Sequence, residues 1–500
     1  QKNDAIPIES IDSIKMGTTV ATNALLERKG EKTVLAITSG FADILKIGYQ
    51  QRPKLFSLDI QLPDMLYSKV IEIEERVDVN GKMLVKLNII KAEKVLRSAY
   101  SEGFNSIAIV LLHGYRFQEH EKKLSAIAKD IGYEQISVSH SVSPLMKIIP
   151  RGDTTVVDAY LSPILRRYVT QVKNALGFSN KDSSKLMFMQ SNGGLTDANY
   201  FQGKDAILSG PAGGVVGMVK TGEKLGLKKL IGFDMGGTST DVCHYNGEYE
   251  RTLETEVAGI RLRSPMMLIN TVAAGGGSIL HFDGSRYRVG PDSAGADPGP
   301  ACYRNGGPLT VTDCNVMLGK LSPDFFPNVF GSNANEKLDS SIVLKKFKKF
   351  AKEISDSTNI KVSPQKVAEG FLSIAVESMA NAIKKISVQR GYDVSKYALS
   401  CFGGAGGQHA CLVADSLGIK QIHLHQYAGV LSAYGIGLAD SKTVNDLAIE
   451  SVLGYKSYDI LSEKFDTLVL TGKKELISQN LNEESFKYIK RAYLRYKGSD

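Results

Sequence analysis

The chain has 500 residues, of which 43% are hydrophobic, 23% are charged and only 15 are prolines. This length predicts several domains, and the composition excludes a disulfide-stabilised miniprotein, a collagen-like repeat and an intrinsically disordered chain. The net charge of +8 is spread over many lysines, which are densest at 345–352. It therefore predicts a solvated helix face and no nucleic-acid partner.

Cysteine usage and apolar run lengths indicate the compartment. The five cysteines include no pair at two-residue spacing, which favours a reducing environment over a disulfide framework or a zinc ribbon. No apolar stretch approaches the roughly 18 residues that a membrane span requires. We therefore expect a cytoplasmic protein without a membrane partner. The chain starts at Gln1 and stops within a segment that resembles a strand and turn, so we expect a fragment of a longer protein.

The first third of the chain alternates strand-like and helix-like patterns. Apolar runs at 33–37 and 106–112 predict buried strands, and amphipathic segments at 91–102 and 119–131 predict helices. This alternation predicts an α/β fold class.

A β-hairpin is predicted in the middle of the chain. Residues 230–233 and 242–245 have strand character, and they flank the turn sequence Asp234-Met-Gly-Gly-Thr-Ser-Thr-Asp241. A strand-to-strand turn distinguishes this segment from the strand-to-helix phosphate loops of other nucleotide-binding folds.

Other glycine-rich stretches have less defined roles. Residues 209–214 and 273–278 are candidates for a γ-phosphate or substrate lining, or for a hinge between lobes. The glycine- and proline-rich segment 271–307 shows little periodicity, and we expect a long ordered loop there.

The best-marked helix is predicted to begin with Ser363 as its N-cap and Pro364 at its first position, to carry an apolar stripe on one face, and to end at Gly391. A strand at 397–402, a glycine turn at 403–407 and a helix at 408–417 follow it. The helix that begins after Ser363 is predicted to belong to the core.

The hairpin turn is the strongest chemical signal. Adjacent glycines allow positive φ and expose successive backbone N–H groups that bind phosphate oxygens. Asp234 and Asp241 bring two carboxylates toward those phosphates, where Mg²⁺ would neutralise both sets of charge. The alternative is an ordinary glycine hairpin with two turn-capping aspartates. The candidate phosphate-binding residues are Gly236, Gly237, Thr238 and Ser239.

The glycine cluster before His409 does not match the GxGxxG spacing of a dinucleotide fold. Glycines without side chains admit a flat base against the backbone, so the cluster predicts a nucleoside loop, with a structural tight turn as the alternative. The candidate residues are Gly403, Gly404, Gly406 and Gly407.

For four further residues, a structural role is expected rather than a catalytic or metal-binding one. His409 is expected to cap or pack rather than to act as a base, and His423 and His425 to pack rather than to bind a metal. Cys302 lacks a basic neighbour and is expected to be a buried thiol.

These motifs together resemble the hydantoinase A/oxoprolinase family. The resemblance extends over nearly the whole chain, and motifs at 52–56, 63–67, 74–77, 150–154 and 158–161 resemble the ATP-dependent 5-oxoprolinase branch of that family. The motifs that carry the family resemblance are 16–25, 234–241, 270–279, 290–303, 310–313 and 403–410.

The resemblance implies an actin-like, ribonuclease H-like ATPase fold with two α/β lobes. It implies a first lobe at 1–228, a second lobe at 229–445 that carries the phosphate and adenosine loops, and the start of a truncated C-terminal domain at 446–500. The family has a first phosphate hairpin before the segment that starts at Met16, and this chain shows no counterpart.

The implied activity is ATP-dependent opening of 5-oxo-L-proline to L-glutamate through phosphorylation of the lactam carbonyl. The implied cofactors are ATP and Mg²⁺, with Asp234 and Asp241 as the catalytic and metal-binding residues. The implied partners are a hydantoinase B-like half, in the same chain or as a subunit, and further copies of the chain. The alternatives are a hydantoinase subunit, a ketone carboxylase subunit, or a non-catalytic actin-like nucleotide switch.

Overall fold

The computed structural model describes residues 10–50, 56, 58–60, 62, 64–178 and 185–497. Most of the motif predicted at 52–56 and the first residue of that at 63–67 lie outside the described residues. Within the described part of the chain, no helix combines the length and the apolar character needed to cross a membrane.

Contacts divide the chain into two units. The first comprises Gln1–Gly210, Arg251–Met266 and Ala439–Asp500, and the second comprises Pro211–Glu250 and Met267–Leu438.

These divisions differ from the predicted boundaries after residues 228 and 445. Residues 211–228 join the second unit, because the helix glycines there pack against residues 431–436. Residues 439–500 join the first unit, where the Lys442 amide donates a hydrogen bond to the Leu195 carbonyl. A residue-by-residue reading cannot find such boundaries, because they depend on contacts between segments far apart in sequence.

The described strands are, in chain order, β1 (Ile14–Met16), β2 (Thr33–Thr38), β3 (Tyr67–Ile73), β4 (Arg76–Val77), β5 (Met83–Val85), β6 (Ser106–Val110), β7 (Gln135–Val138), β8 (Leu186–Met189), β9 (Leu195–Asp197), β10 (Lys229–Met235), β11 (Thr240–Asn246), β12 (Arg251–Val257), β13 (Ile260–Met267), β14 (Ile269–Val272), β15 (Ser278–Phe282), β16 (Tyr287–Ser293), β17 (Ala398–Phe402) and β18 (Gln421–Leu424). The described α-helices are α1 (Val20–Leu26), α2 (Ile44–Ile47), α3 (Ile89–Ser101), α4 (Glu119–Ile131), α5 (Ser139–Val142), α6 (Ile148–Ala175), α7 (Ser209–Lys224), α8 (Val311–Met317), α9 (Ser340–Thr358), α10 (Pro364–Ile386), α11 (Ala410–Leu417), α12 (Leu431–Leu438) and α13 (Tyr455–Ser478).

The first unit is built on a parallel sheet in the order β3-β2-β6-β7. Strand β2 is buried along its whole length, and successive side chains enter opposite cores. Val34 and Ala36 pack with the residues of α3 and α4, whereas Leu35 and Ile37 pack with those of α6. The predicted strands and helices of this region are therefore confirmed.

The second unit is built on a mixed sheet in the order β14-β11-β10-β17-β18. Strands β10 and β11 form the predicted antiparallel hairpin, and β17 lies parallel to β10 on its other side. This arrangement places the end of β10, the start of β11 and the end of β17 at one edge of the sheet.

Helix α10 confirms the predicted core helix. The Ser363 side chain accepts a hydrogen bond from the Lys366 amide, and Pro364 occupies the first turn. The α-helix ends at Ile386, earlier than predicted, and a 3₁₀ turn continues to Arg390 before Gly391 adopts a φ of 87°.

The expectation of a loop over 271–307 is wrong in part, because β15 and β16 form a hairpin there. Their turn is Asp283-Gly-Ser-Arg286, in which Gly284 has a φ of 95°. The Asp-Gly pair was the available signal, since it is a common hairpin turn sequence.

Candidate functional site

The predicted phosphate hairpin forms with its two aspartates opposite each other. In the register of β10 and β11, Asp234 pairs with Asp241 and Met235 with Thr240. The turn is closed by a hydrogen bond of 3.0 Å from the Gly236 amide to the Ser239 carbonyl. The four turn residues therefore project from the edge of the sheet, one residue beyond the carboxylate pair on each strand.

The second glycine run, 273–278, supports this turn from one side. The Gly276 amide donates to the Gly236 carbonyl at 3.1 Å, and the Gly277 amide donates to the Gly237 carbonyl at 2.6 Å. A Cβ atom at Gly275 would lie 2.6 Å from the Gly237 carbonyl oxygen, so only glycine fits there. This run is thus a backbone platform for the turn.

The platform engages the carbonyl side of the turn and leaves its amide side open. Among the described residues, none accepts a hydrogen bond from the amides of Gly237, Thr238 and Ser239. The same holds for the Thr238 and Ser239 hydroxyls. Gly237 and Thr238 are exposed, and no atom lies within 4 Å of a Cβ built at Gly237. Donors that face open space at a glycine turn fit the oxygens of a phosphate group.

The positive φ predicted for the two glycines is wrong. Neither Gly236 nor Gly237 lies in the left-handed region of φ. A Cβ at Gly236 would come no closer than 3.8 Å to another residue, the nearest atom being the Ser239 carbonyl oxygen. The backbone conformation therefore does not require glycine here, and the absence of side chains leaves the turn open.

The pKa values of both aspartates in the carboxylate pair are raised. Burial first, and then the charge of Asp241, raise the pKa of Asp234 to about 6, while a hydrogen bond from Ser432 opposes the shift. Burial also raises the pKa of Asp241, against a hydrogen bond of 2.5 Å from the Thr271 hydroxyl. Two adjacent, partly desolvated carboxylates favour either a proton or a cation between them.

The donor set fits Mg²⁺, which is bound in proteins by one or two carboxylates together with water and phosphate oxygens. Within the described ranges, no group of three or more His, Cys, Asp and Glu side chains is close enough to hold a metal. A cation at Asp234 and Asp241 would therefore take its remaining ligands from water and a bound phosphate.

The predicted nucleoside loop lies beside the hairpin. Gly403 follows β17, with a φ of 82°, and a Cβ there would lie 2.4 Å from Asp234 Oδ1. The Ala405 amide donates to the Met235 carbonyl at 2.9 Å. Residues that lie far apart in the sequence and were predicted to bind one ligand are thus in contact.

The four glycines of this loop divide into two kinds. Gly403 is required by its φ and its contact with Asp234, and a Cβ at Gly406 would lie 2.8 Å from the Cys401 sulfur. A Cβ at Gly404 or at Gly407 would have no atom within 4 Å, so the surfaces of these two residues are open to a ligand. Both predicted roles, tight turn and close-approach surface, therefore have residues that fit them.

Two side chains near the carboxylates were missed by the sequence analysis. Thr271 lies on β14 opposite Asp241, and the Ser432 hydroxyl lies 3.5 Å from Asp234 Oδ2. Thr271 belongs to a motif that carried the family resemblance, whereas Ser432 had no local signal.

The stretch at 209–214, a candidate phosphate or substrate lining or hinge, is helical. It begins α7, whose glycines allow close packing on α12. A Cβ at Gly213 would lie 2.7 Å from the Ser432 carbonyl, and one at Gly217 would lie 2.7 Å from the Leu431 carbonyl. These glycines are explained by helix packing.

The three histidines and Cys302 have the structural environments expected of packed or buried side chains. His409 is fully buried, and burial, assisted by Lys320, lowers its pKa to about 4. His423 is buried with its Nδ1 atom 3.1 Å from the Ser400 hydroxyl, and His425 lies beyond the end of β18 and stacks on Tyr434. Cys302 is buried, and burial raises the pKa of its thiol.

Comparison with known proteins gives a consistent assignment. The Hydantoinase/oxoprolinase family model matches residues 151–445, and the model of the Hydantoinase/oxoprolinase N-terminal region matches residues 1–132. The chain is 42% identical to 5-oxoprolinase 1 from Arabidopsis thaliana, over 100% of the chain and 41% of that protein. It is 42% identical to 5-oxoprolinase from Saccharomyces cerevisiae, over 99% of the chain and 41% of that protein. It therefore spans about two fifths of the length of these relatives.

Two solved structures share the fold. The crystal structure of ATP-dependent caprolactamase from Pseudomonas jessenii has a TM-score of 0.81 and 28% identity, and the match covers 94% of this chain and 68% of that chain. Nucleotide-free acetone carboxylase has a TM-score of 0.71 and 23% identity, covering 96% and 70% of the two chains. The α/β fold class is thereby confirmed, and the matched family models show that the chain belongs to the hydantoinase/oxoprolinase family.

Proposed function

We propose that the chain is the ATP-binding part of an ATP-dependent hydrolase of cyclic amides that opens 5-oxo-L-proline to L-glutamate. The observation that supports the proposal most strongly is the open amide side of the hairpin turn, with Asp234 and Asp241 behind it and Gly403 against Asp234. The relatives named 5-oxoprolinase support the choice of substrate.

The hairpin turn would hold the phosphates of ATP. The amides of Gly237, Thr238 and Ser239 would donate to phosphate oxygens, with the Thr238 and Ser239 hydroxyls as further donors. Asp234 and Asp241 would hold Mg²⁺, which when bound supplies positive charge that offsets the charge of the phosphates. Gly404 and Gly407 would lie against the nucleoside.

The reaction needs ATP because a lactam is a poor electrophile. Transfer of the γ-phosphoryl group to the carbonyl oxygen releases ADP and activates the ring carbon. One water adds to that carbon, the ring C–N bond breaks, and a second water releases phosphate and leaves the open-chain amino acid. The contribution of this chain is to position ATP and neutralise its charge, which are the main sources of catalysis in phosphoryl transfer.

The residues that hydrolyse the activated lactam are proposed to lie outside this chain. The chain spans 41% of the length of its 5-oxoprolinase relatives, and another relative is named caprolactamase subunit alpha. A hydantoinase B-like part, in the same polypeptide or in a separate subunit, is the proposed source.

The test is lactam-dependent ATP hydrolysis by the complete gene product that contains this chain. We expect ADP and glutamate to form in equal amounts with 5-oxo-L-proline, and little turnover with hydantoin or caprolactam. Asp234→Asn should abolish turnover, whereas Asp446→Asn, a half-buried aspartate of the other unit whose pKa burial also raises, should not. Binding of ATP without turnover on any of the three lactams would contradict the proposal and favour a nucleotide switch.

A further inference from the structure

Helix α8 contacts both of the glycine segments around the candidate nucleotide site. Most of its residues are buried, and its apolar side chains belong to the core of the second unit. Two of its polar residues, Thr312 and Asn315, instead form hydrogen bonds with glycine-rich segments that lie far from the helix in sequence. The helix therefore touches the backbone platform under the hairpin turn and also the nucleoside loop.

The first contact holds the backbone platform. The Thr312 amide and hydroxyl both donate to the Gly276 carbonyl, at 2.8 and 2.9 Å. The Gly276 amide in turn donates to the Gly236 carbonyl in the hairpin turn. A capping box formed by Thr310 and Asp313 fixes the first turn of the helix. The start of α8 is thus connected to the hairpin turn through one intervening residue.

The second contact holds the far end of the nucleoside loop. Asn315 Nδ2 donates to Gln408 Oε1 at 2.7 Å and lies 3.2 Å from His409 Nε2. Lys320 follows the helix, and its Nζ atom donates to the Gln408 carbonyl at 2.6 Å. The Lys320 amide bonds to the Asn315 carbonyl at 2.9 Å. The helix, the lysine and the end of the loop therefore form one connected network.

Each of the two open glycines in the nucleoside loop has an anchored neighbour. The amides of Gly403 and Ala405 donate to backbone carbonyls at 3.0 and 2.9 Å, and these two residues flank Gly404. Gly407 is followed by Gln408, which is held by α8 and Lys320. A glycine-rich segment has many alternative conformations, so anchors reduce the entropy that the loop would lose when a ligand binds.

Asn315 is too deeply buried to touch a ligand. Both Asn315 and His409 are fully buried, and the lowered pKa of His409, about 4, leaves its ring neutral at pH 7. A buried amide costs stability unless its polar atoms are bonded, and Asn315 Oδ1 has no partner among the described residues. Core packing alone therefore does not account for an asparagine here, whereas its hydrogen bond to Gln408 does.

We propose that Asn315 and Lys320 are positioning residues that hold the nucleoside loop in the conformation that receives the nucleoside of ATP. The same helix supports the hairpin turn through Thr312, so α8 keeps the two parts of the nucleotide site at a fixed spacing. This inference rests on the proposed function and adds to it residues that act through the loop.

The test separates the contribution of the nucleoside from that of the phosphates. Calorimetric titration of the 500-residue chain with MgATP and with magnesium tripolyphosphate gives the gain in affinity that the nucleoside provides. Asn315→Leu should weaken MgATP binding by about tenfold. It should leave the affinity for tripolyphosphate unchanged, because Thr312 still supports the hairpin turn. A loss of affinity for both ligands, or for neither, would overturn the inference.

Variants of neighbouring residues separate positioning from a general effect on the fold. Val316→Ala removes buried methyl groups from the same helix and should leave both affinities unchanged. Lys320→Met should weaken MgATP binding severalfold, and Lys320→Arg should restore it, because arginine keeps a donor near the Gln408 carbonyl. Equal losses of MgATP affinity in Asn315→Leu and Val316→Ala would mean that helix packing, and not loop positioning, is responsible.

The wild-type titrations distinguish the failure of this inference from the failure of the proposed function. Equal affinities for MgATP and magnesium tripolyphosphate would overturn the inference and leave the phosphate site intact. Binding of neither ligand would overturn the proposed function and the inference together.

Discussion

Two glycine-rich segments of the second unit resemble each other in sequence and differ in what surrounds them. In the hairpin turn, a Cβ at Gly237 would meet no atom within 4 Å, and the turn amides face open space. Where α7 packs on α12, a Cβ at Gly435 would lie 2.0 Å from the Gly213 carbonyl. Glycine leaves open space in the first segment, where we propose that a ligand binds, and permits backbone packing in the second, so only the surroundings distinguish the two segments.

The largest expected effect is on the packed segment. Gly435→Ala forces a methyl group into the backbone of α7 and should lower the free energy of unfolding by about 3 kcal/mol. Urea denaturation measures this loss. Gly437→Ala on the same helix is the matched control, since no atom lies within 4 Å of its Cβ position. Equal stability of the two variants would remove the packing explanation.

The open segment should show the reverse pattern. Gly237→Val should change the free energy of unfolding by less than about 0.5 kcal/mol, because its side chain meets only solvent. It should weaken MgATP binding by about a hundredfold, equivalent to about 2.7 kcal/mol, because the valine occupies the space for phosphate. Gly454→Val is the control, since that residue has an extended φ of −176° and an open Cβ position. An unaffected titration of Gly237→Val with MgATP would refute the phosphate site.

The carboxylate pair should make the stability of the ligand-free protein depend on pH. Because the pKa of Asp234 is raised to about 6 in the folded protein, the folded state holds that proton more tightly than the unfolded state does. This contribution to stability is fully present below about pH 4 and is lost as the pH rises through about 6, with a total change of about 3 kcal/mol.

Asp234→Asn should remove this pH dependence and raise the melting temperature of the ligand-free protein at pH 7. The same variant should bind MgATP more weakly, and wild-type binding of MgATP should weaken as the pH falls below about 6. Thermal melting across pH 4–8 checks the first effect, and titration checks the second. A lower melting temperature for the variant at pH 7 would show that the carboxylate stabilises the fold.

The smallest effects concern two threonines, one within the turn and one at the start of the strand that follows it. Thr240 is fully buried, and its hydroxyl donates to the Ala274 carbonyl, so Thr240→Val should cost about 1 kcal/mol of stability. Thr238 is exposed, so Thr238→Val should leave stability unchanged and weaken MgATP binding severalfold, by about 1 kcal/mol. Interchanged effects would mean that the roles of the two hydroxyls are reversed.

Local patterns were sufficient to predict much of the fold. The hairpin was predicted with strands at 230–233 and 242–245, and the observed strands extend two residues or fewer beyond each bound. The N-terminus of α10 was marked by a serine cap and a proline, whose effects are local. Such elements depend on neighbouring residues in sequence, which is why the sequence predicts them.

The parts that were not predicted depend on distant contacts. The assignment of residues 251–266 and 439–500 to the first unit follows from packing between segments far apart in the chain. The close approach of α7 and α12 involves glycines more than 200 residues apart. The sequence predicted that Gly403 and Asp234 bind the same ligand, but it did not predict that they touch each other. No local sequence pattern marked Ser432 as a neighbour of Asp234.

The central claim is that the amides of residues 237–239 donate to phosphate oxygens, and hydrogen–deuterium exchange measures those amides directly. At saturating MgATP, we predict slower exchange in a peptide that spans Asp234–Asp241 and unchanged exchange in a peptide from α7. Unchanged exchange across the turn at saturation would contradict the claim and place the phosphates elsewhere.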